Sequence, residues 1–264
     1  METTEYALGR TPAEYERVRA QARLWEPDTA RLLDRLGVGA GARCLDAGCG
    51  PGETMRRLAE RVGPTGEVTG IDLDPGMAAA AESYTGCRVL RHDVTKDEPL
   101  PGGPYDLVYA RLLLFHTPDR EAALARLWAA VAPGGHLLVQ DYDMRTAGVV
   151  PSLGIVERMT GLVIEAFGAA GCDVRAGSRL PYLMARAGVG APDGTDVAGR
   201  LVPMAVGTPV LESVFRSLLP VAVANGLITR AEAERSIEAL HAEAAAHPDR
   251  SVLLPLLNGA WKRR

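Results

Sequence analysis

Apolar residues recur at Met55, Leu58, Ala59 and Val62, a helical spacing, immediately behind a strand-like run that ends at Leu45. The alternation continues as far as Tyr142. It predicts strands over 42–47, 67–71, 88–91, 105–111 and 137–140, with helices between them. Such an order gives an α/β protein, a parallel sheet with helices on both faces. Ahead of this block, Thr11-Pro12-Ala13-Glu14 reads as a capped helix start, running to about Trp25, and Pro27 separates it from a second helix over 28–36. Behind it the rhythm loosens. Helices are expected over 155–170, 180–187, 211–225 and 229–246, and strands over 197–206 and 251–261. Asp74 with Pro75, and Thr117 with Pro118, read as further helix starts.

Composition narrows the class without naming a function. The chain has 264 residues, 47% hydrophobic and 23% charged, ordinary for a soluble globular protein and long enough for one large domain with a well-buried interior. A net charge of -4 gives no basic footprint for nucleic acid. The basic tail Trp261-Lys262-Arg263-Arg264 reads as a solvated terminus. The first ten residues lack the apolar region of a signal peptide, and no uninterrupted run of about 18 or more apolar residues is present to span a membrane. Cys44, Cys49, Cys87 and Cys172 have no metal-ligand or disulfide-framework spacing, so reduced thiols in a cytoplasmic protein are expected.

Candidate chemistry concentrates in Asp46-Ala47-Gly48-Cys49-Gly50-Pro51-Gly52-Glu53. Three glycines at alternate positions free the backbone for positive φ and let a ligand approach without meeting a Cβ. The helix start behind them offers unpaired N–H groups. A dinucleotide fingerprint, Gly-x-Gly-x-x-Gly, would keep a glycine where Glu53 stands. Asp72 ends the second strand, 20 residues beyond Gly52, where a carboxylate can accept ribose hydroxyls. Asp93 follows the third strand; it suits an adenine amine with Val94 against the ring, or it caps its own loop. Arg111, beside Ala110, ends the fourth strand on the side where ligands of open sheets sit; it serves a ligand or pairs with Asp46. His116 is a candidate general base or a packing residue. Asp141 and Tyr142 end the fifth strand. Asp141 and Asp143 alone are too few ligands for a metal, and none is expected.

The pattern Asp-x-Gly-x-Gly-x-Gly after the first strand resembles motif I of the class I S-adenosylmethionine-dependent methyltransferases, and Pro133-Gly134-Gly135 resembles their late motif. Tyr6-Ala7-Leu8-Gly9 and Gln21 are similar to positions in an actinobacterial-type, small-molecule branch; a packed aromatic and a solvated helix residue are the alternatives. The resemblance implies a Rossmann-like, doubly wound, mostly parallel seven-stranded sheet with an antiparallel edge strand. N-terminal helices and a helical insertion near the C-terminus would complete it. One methyltransferase domain over 1–264 is expected, with 1–40 as helical cover, 41–145 as cofactor-binding core and 146–264 on the substrate side. The implied cofactor is S-adenosylmethionine, with S-adenosylhomocysteine as product. Its implied binding residues are Tyr6, Gln21, Asp46, Gly48, Gly50, Gly52, Asp72, Leu73, Asp93, Val94, Ala110 and Arg111. The implied reaction is methyl transfer to O, N or C of a small molecule in secondary metabolism, with His116, Asp141 or Tyr142 as base when the acceptor keeps its proton. Neither nucleic acid nor membrane is an expected partner, and the protein would be a monomer or homodimer. Two alternatives stand: a cyclase or isomerase that keeps the cofactor, and a nicotinamide-dependent oxidoreductase, against which Glu53 argues.

Overall fold

The computed structural model describes residues 11–264. Helices α1 (Pro12–Leu24) and α2 (Glu26–Arg35) precede β1 (Arg43–Ala47), α3 (Glu53–Val62), β2 (Glu67–Asp72), α4 (Pro75–Thr85), β3 (Arg88–Arg91) and β4 (Tyr105–Arg111). Then come α5 (Arg120–Ala129), β5 (Val131–Asp143), β6 (Gly148–Val150), α6 (Gly154–Ala169), α7 (Leu180–Arg186), β7 (Gly194–Ala198) and β8 (Leu201–Pro203). The chain closes with α8 (Met204–Ala224), α9 (Arg230–Ala246), β9 (Ser251–Leu253) and β10 (Leu256–Arg263). These elements form two compact units. The core unit holds residues 11–141, Arg179–Asp196 and Gly259–Arg264, and the second holds Tyr142–Ser178 and Val197–Asn258.

The large sheet has the order β3-β2-β1-β4-β5-β10-β7. β1 pairs in parallel with β2 and β4, β2 with β3, and β4 with β5. Gly134 and Gly135 bond to Arg264 at one end of β10, while Gly259 faces Gln140 at the other, so β10 runs against β5. Gly194 meets Trp261 and Gly259 meets Asp196, so β7 and β10 form the expected antiparallel pair at that edge. The order reverses between β1 and β4, which puts the crevice for ligands outside the carboxyl ends of these strands. Met55, Leu58 and Val62 of α3 and Leu32 and Leu33 of α2 are buried with Cys44, Val68, Leu107 and Leu138 of the sheet. Each such leucine or methionine contributes about 1.5–3 kcal/mol through burial. That anchorage fixes where the loop after β1 begins.

Local signals set the starts of α1 and α4. Thr11 Oγ1 accepts the Glu14 amide at 3.1 Å with Pro12 at the first position, and Asp74 accepts the amides of Gly76 and Met77. Thr117, however, is not the cap of α5. Its hydroxyl donates to the Leu113 carbonyl at 2.8 Å, and Asp119 accepts the Ala122 amide instead. β5 begins earlier than its apolar run, because Pro133-Gly134-Gly135 is absorbed as a bulge: Tyr105 pairs with Val131 but Leu107 with His136.

In the second unit, β9 joins β6 and β8 in a small antiparallel sheet. The expected strand over 197–206 is divided between the end of β7 and β8, because Pro203 ends β8 and Met204 opens α8. The run over 251–261 likewise divides into β9 and β10. α8 starts seven residues ahead of its expected first residue, Leu211, and carries Pro209 and Pro220 inside it. Burial of Met204, Phe215, Leu218, Leu219 and Ala222 offsets the bonds those prolines remove. Among the described residues α8 is the one helix long and apolar enough to cross a membrane, and it also carries Glu212 and Arg216.

Candidate cofactor site

The backbone between β1 and α3 turns on its glycines. Gly48, Gly50 and Gly52 have φ of +70°, +52° and +90°. The amides of Gly48 and Cys49 both donate to the Ile71 carbonyl, tying the turn to β2. A Cβ at Gly52 would lie 3.0 Å from the Ala81 backbone, so glycine there lets α3 pack on α4. A Cβ at Gly50 would meet only Val18, at 3.9 Å, so glycine there leaves space beside the turn.

Three acids line the strand ends. Asp72 accepts the Gly50 amide on one oxygen and the Asp74 amide on the other, each at 2.9 Å. Burial raises its pKa, and those amides oppose the rise. Asp46 is 2% exposed, and its Oδ2 has no hydrogen-bond partner. Burial pushes this carboxyl up to about 7; the Arg111 charge pulls down and Asp72 pushes up. Asp93 caps its own loop, accepting the amide and hydroxyl of Thr95 at 2.9 and 2.7 Å. Burial works against its charge, but the Thr95 bonds and the charges of Lys96 and His92 hold it below the usual carboxylate range. Val94 beside it is buried, whereas Leu73, after Asp72, is 44% exposed.

Arg111 ends β4 next to the buried Ala110; its Nη1 donates to the Ala22 carbonyl of α1 at 3.5 Å. A cavity of about 310 Å³, the lower end of the small-ligand range, is lined by Ala22, Thr29, Glu53, Thr54 and Arg111 among others. Below it, Tyr109 and Thr29 both donate to Gln140 Oε1 at 2.8 Å, fixing α2 to β4 and β5. Leu112, which follows Arg111, has φ of +53°, the one non-glycine residue with positive φ among those described. Such a conformation marks a turn that its surroundings hold. Asp141 does part of that holding: it is fully buried and accepts the Phe115 amide at 3.0 Å. Its carboxylate is thereby engaged by the backbone of the turn.

His116 lies on the same turn, edge-on to Phe115 at 4.9 Å. Burial first, then the charges of Arg120 and Arg17, lower its pKa to about 4. The ring is neutral at physiological pH and a weak base. Tyr142, buried, belongs to the second unit. Gln21 lies on α1 and accepts from Arg17 at 3.2 Å. Tyr6 lies outside the described residues. The Cys49 thiol, pushed up by burial, stays protonated. The structure thus gathers Asp46, Asp72, Arg111 and the glycine loop at the carboxyl ends of β1, β2 and β4, with Asp93 after β3.

A methyltransferase-domain family model matches residues 44–135. Over 152 residues the chain is 34% identical to the aklanonic acid methyltransferase DauC of Streptomyces sp. (strain C5), covering 56% of this chain and 68% of that protein. The chain belongs to the class I S-adenosylmethionine-dependent methyltransferases. Trans-aconitate 2-methyltransferase of Variovorax paradoxus (strain S110) is 41% identical over 115 residues, 43% of this chain and 44% of that one. The chain spans about half the length of the curated relatives it matches first. The fold is shared with phosphoethanolamine N-methyltransferase 2 of Haemonchus contortus, solved with S-adenosyl-L-methionine: TM-score 0.51 at 19% identity, over 91% of this chain and 53% of that one. S-adenosylmethionine is the methyltransferase cofactor. Neither the nicotinamide nor the cyclase alternative is favoured by these relatives.

Two signals were missed in the sequence. Glu53 counted only as a missing glycine, yet it is buried and bonded to Arg56 and Tyr84. Val18 and Arg19 of α1 lie against Gly50 and Pro51. An acid in place of glycine at a helix start, together with Arg17, Arg19 and Arg23 in the first helix, was the clue the sequence held.

Proposed function

We propose that this chain transfers the methyl group of S-adenosylmethionine to an O, N or C atom of a small molecule of the natural-product type. The observation that carries the cofactor assignment is Asp46 Oδ2, a buried acceptor without a partner beside three positive-φ glycines. A buried polar atom of this kind is costly unless a ligand satisfies it. The α-ammonium of an amino-acid-bearing cofactor has the chemistry to do so.

Within this reading Asp46 and Arg111 hold the amino-acid part beside the turn of Gly48, Gly50 and Gly52, with Gly50 giving the backbone close access. Asp72 accepts from the ribose. The oxygen of Asp93 not engaged by Thr95, with Val94 and Leu73, serves the adenine, and Gln21 of α1 belongs to the cover. When bound, the cofactor supplies a sulfonium that activates the methyl group. The chain then has to align the acceptor and exclude water. His116 is neutral and accepts a proton only from an acidic acceptor; Asp141 and Tyr142 are the other candidates for handling that proton.

We further read the chain as a single functional methyltransferase, monomeric or homodimeric, acting in the cytoplasm without nucleic acid or membrane. The net charge of -4 supports a partner set without nucleic acid. The relatives named for aklanonic acid and trans-aconitate support acceptors that are small organic acids. Incubating such acceptors with S-adenosylmethionine and the protein should give products heavier by one methyl group in a mass spectrum. Unchanged acceptor masses beside demonstrable cofactor binding would remove transfer to this acceptor class.

A further inference from the structure

Glu53, 4% exposed, receives donors from three helices. Arg56 of its own helix α3 donates to Oε1 through Nε at 3.1 Å and Nη2 at 2.5 Å. Tyr84 of α4 donates to Oε2 at 2.9 Å, and Arg23 of α1 pairs with the same oxygen at 3.2 Å. Burial works against ionisation, but these donors outweigh it and hold the carboxyl below its ordinary range. Tyr84 is used twice: the Arg19 guanidinium lies 4.1 Å from its ring centre. Arg19 also donates to the carbonyls of Pro51 in the glycine loop and Ala80 in α4.

The arrangement is asymmetric. Glu53, Arg56 and Tyr84 sit on α3 and α4, whereas Arg19 and Arg23 sit on α1. Were α1 to lift, Glu53 would keep its Arg56 and Tyr84 donors, so no buried charge would be left unpaired. The Arg23 side chain is 45% exposed, so its pairing is of the weak, salt-sensitive kind. Meanwhile α1 covers the turn: Val18 lies against Gly50, and the Tyr15 hydroxyl is 2.5 Å from where a Cβ on Gly76 would be. Val18 is the side chain nearest the outer side of Gly50.

We propose that Arg19 and Arg23 close α1 over the glycine loop on a seat made by Glu53 and Tyr84, and that release of this clasp sets the rate of cofactor exchange. The proposal rests on the reading of the loop as the S-adenosylmethionine site. Arg19, Arg23, Glu53 and Tyr84 are positioning residues; their effect on the cofactor passes through α1.

Stopped-flow displacement of S-adenosylhomocysteine tests it on Arg23→Gln and on the double variant Arg19→Gln/Arg23→Gln. Arg23→Gln should speed dissociation by up to about fivefold, the factor that about 1 kcal/mol of a partly exposed pair corresponds to, and association should quicken as well. Added salt should accelerate dissociation from the wild type and leave the double variant nearly unaffected. A merely structural role would not remove that salt response. Wild-type rates and salt response in the double variant would overturn the clasp. Should the wild type bind no S-adenosylhomocysteine, the cofactor reading fails, and hydrogen exchange of α1 amides in the ligand-free variants still decides the clasp: faster exchange supports it, unchanged exchange overturns it.

Discussion

Asp72 accepts the Gly50 amide at 2.9 Å, so the acid that ends β2 and the loop that follows β1 are one hydrogen-bonded unit. Its other oxygen does the same for Asp74. Asp72→Ala therefore leaves two amides without their acceptor as well as removing the ribose ligand. The expected outcome is a lowered melting temperature, by the equivalent of about 1–3 kcal/mol per amide left buried and unpaired, and S-adenosylhomocysteine affinity reduced more than tenfold. Thermal melts with calorimetric titration check both; unchanged affinity would take Asp72 out of the site.

Ligand selectivity follows from Glu53. Its carboxylate lies at the start of α3, where a dinucleotide would need its pyrophosphate. S-adenosylhomocysteine at about 100 times its Kd should add about 2.7 kcal/mol of stability. NAD at the same concentration should leave the melting curve in place. Equal shifts from both ligands would contradict the assignment.

The half of the fold around the site was legible because its signals are local. Thr11, Asp74 and the glycines act within one turn of themselves, and strands such as 88–91 are bounded by such punctuation. Thr117 was misread because a hydroxyl can turn back to Leu113 as readily as cap a helix, and Asp119 stood two residues on. The far half depends on tertiary packing. β6, β8 and β9 are three residues each, too short to show a period of two, and α8 persists through two prolines because its apolar face is buried. The seat around Glu53 joins residues from 23 to 84, a distance no local pattern spans.

Asp46 makes the site sensitive to pH. Its folded pKa, about 7, lies above its ordinary value, so between about pH 4 and 7 the folded chain keeps a proton that the unfolded chain has lost. Stability from this group is thus present at low pH and falls as pH rises through 7. Asp46→Asn should abolish that slope, seen as a melting-temperature difference from wild type that widens between pH 4 and 7. Cofactor binding should run the other way: an ammonium partner requires the ionised acid, so S-adenosylhomocysteine affinity should weaken towards tenfold per unit below about pH 7. A pH-independent affinity would separate Asp46 from the ammonium.

His116 has the opposite linkage to the unfolded state. With its folded pKa lowered to about 4, the unfolded chain binds a proton between about pH 4 and 6.5 that the folded chain refuses, so stability is lost as pH falls through that window. His116→Gln should melt less steeply with acid than the wild type below pH 6.5. If methyl transfer shows a rate inflection near pH 6.5, it should survive this substitution; its disappearance would restore His116 as the titrating base.

The glycines separate folding from binding. At Gly50 an added methyl finds open space apart from Val18, so the cost to folding is that of the left-handed backbone, roughly 1–2 kcal/mol. At Gly52 the methyl would press on the Ala81 backbone and Thr85 at 3.0 Å, in a backbone conformation of φ +90°. Gly52→Ala should therefore lose more stability than Gly50→Ala, since α3 and α4 must move apart. Affinity should rank the other way once each protein is shown to be folded: Gly50→Ala puts its methyl on the side of the turn that the cofactor is to approach. Denaturant melts give the first order and calorimetric titration of S-adenosylhomocysteine the second. Full affinity in a folded Gly50→Ala protein would mean that the cofactor does not approach the turn at Gly50, and the amino-acid end would then have to be held by Asp46 and Arg111 alone.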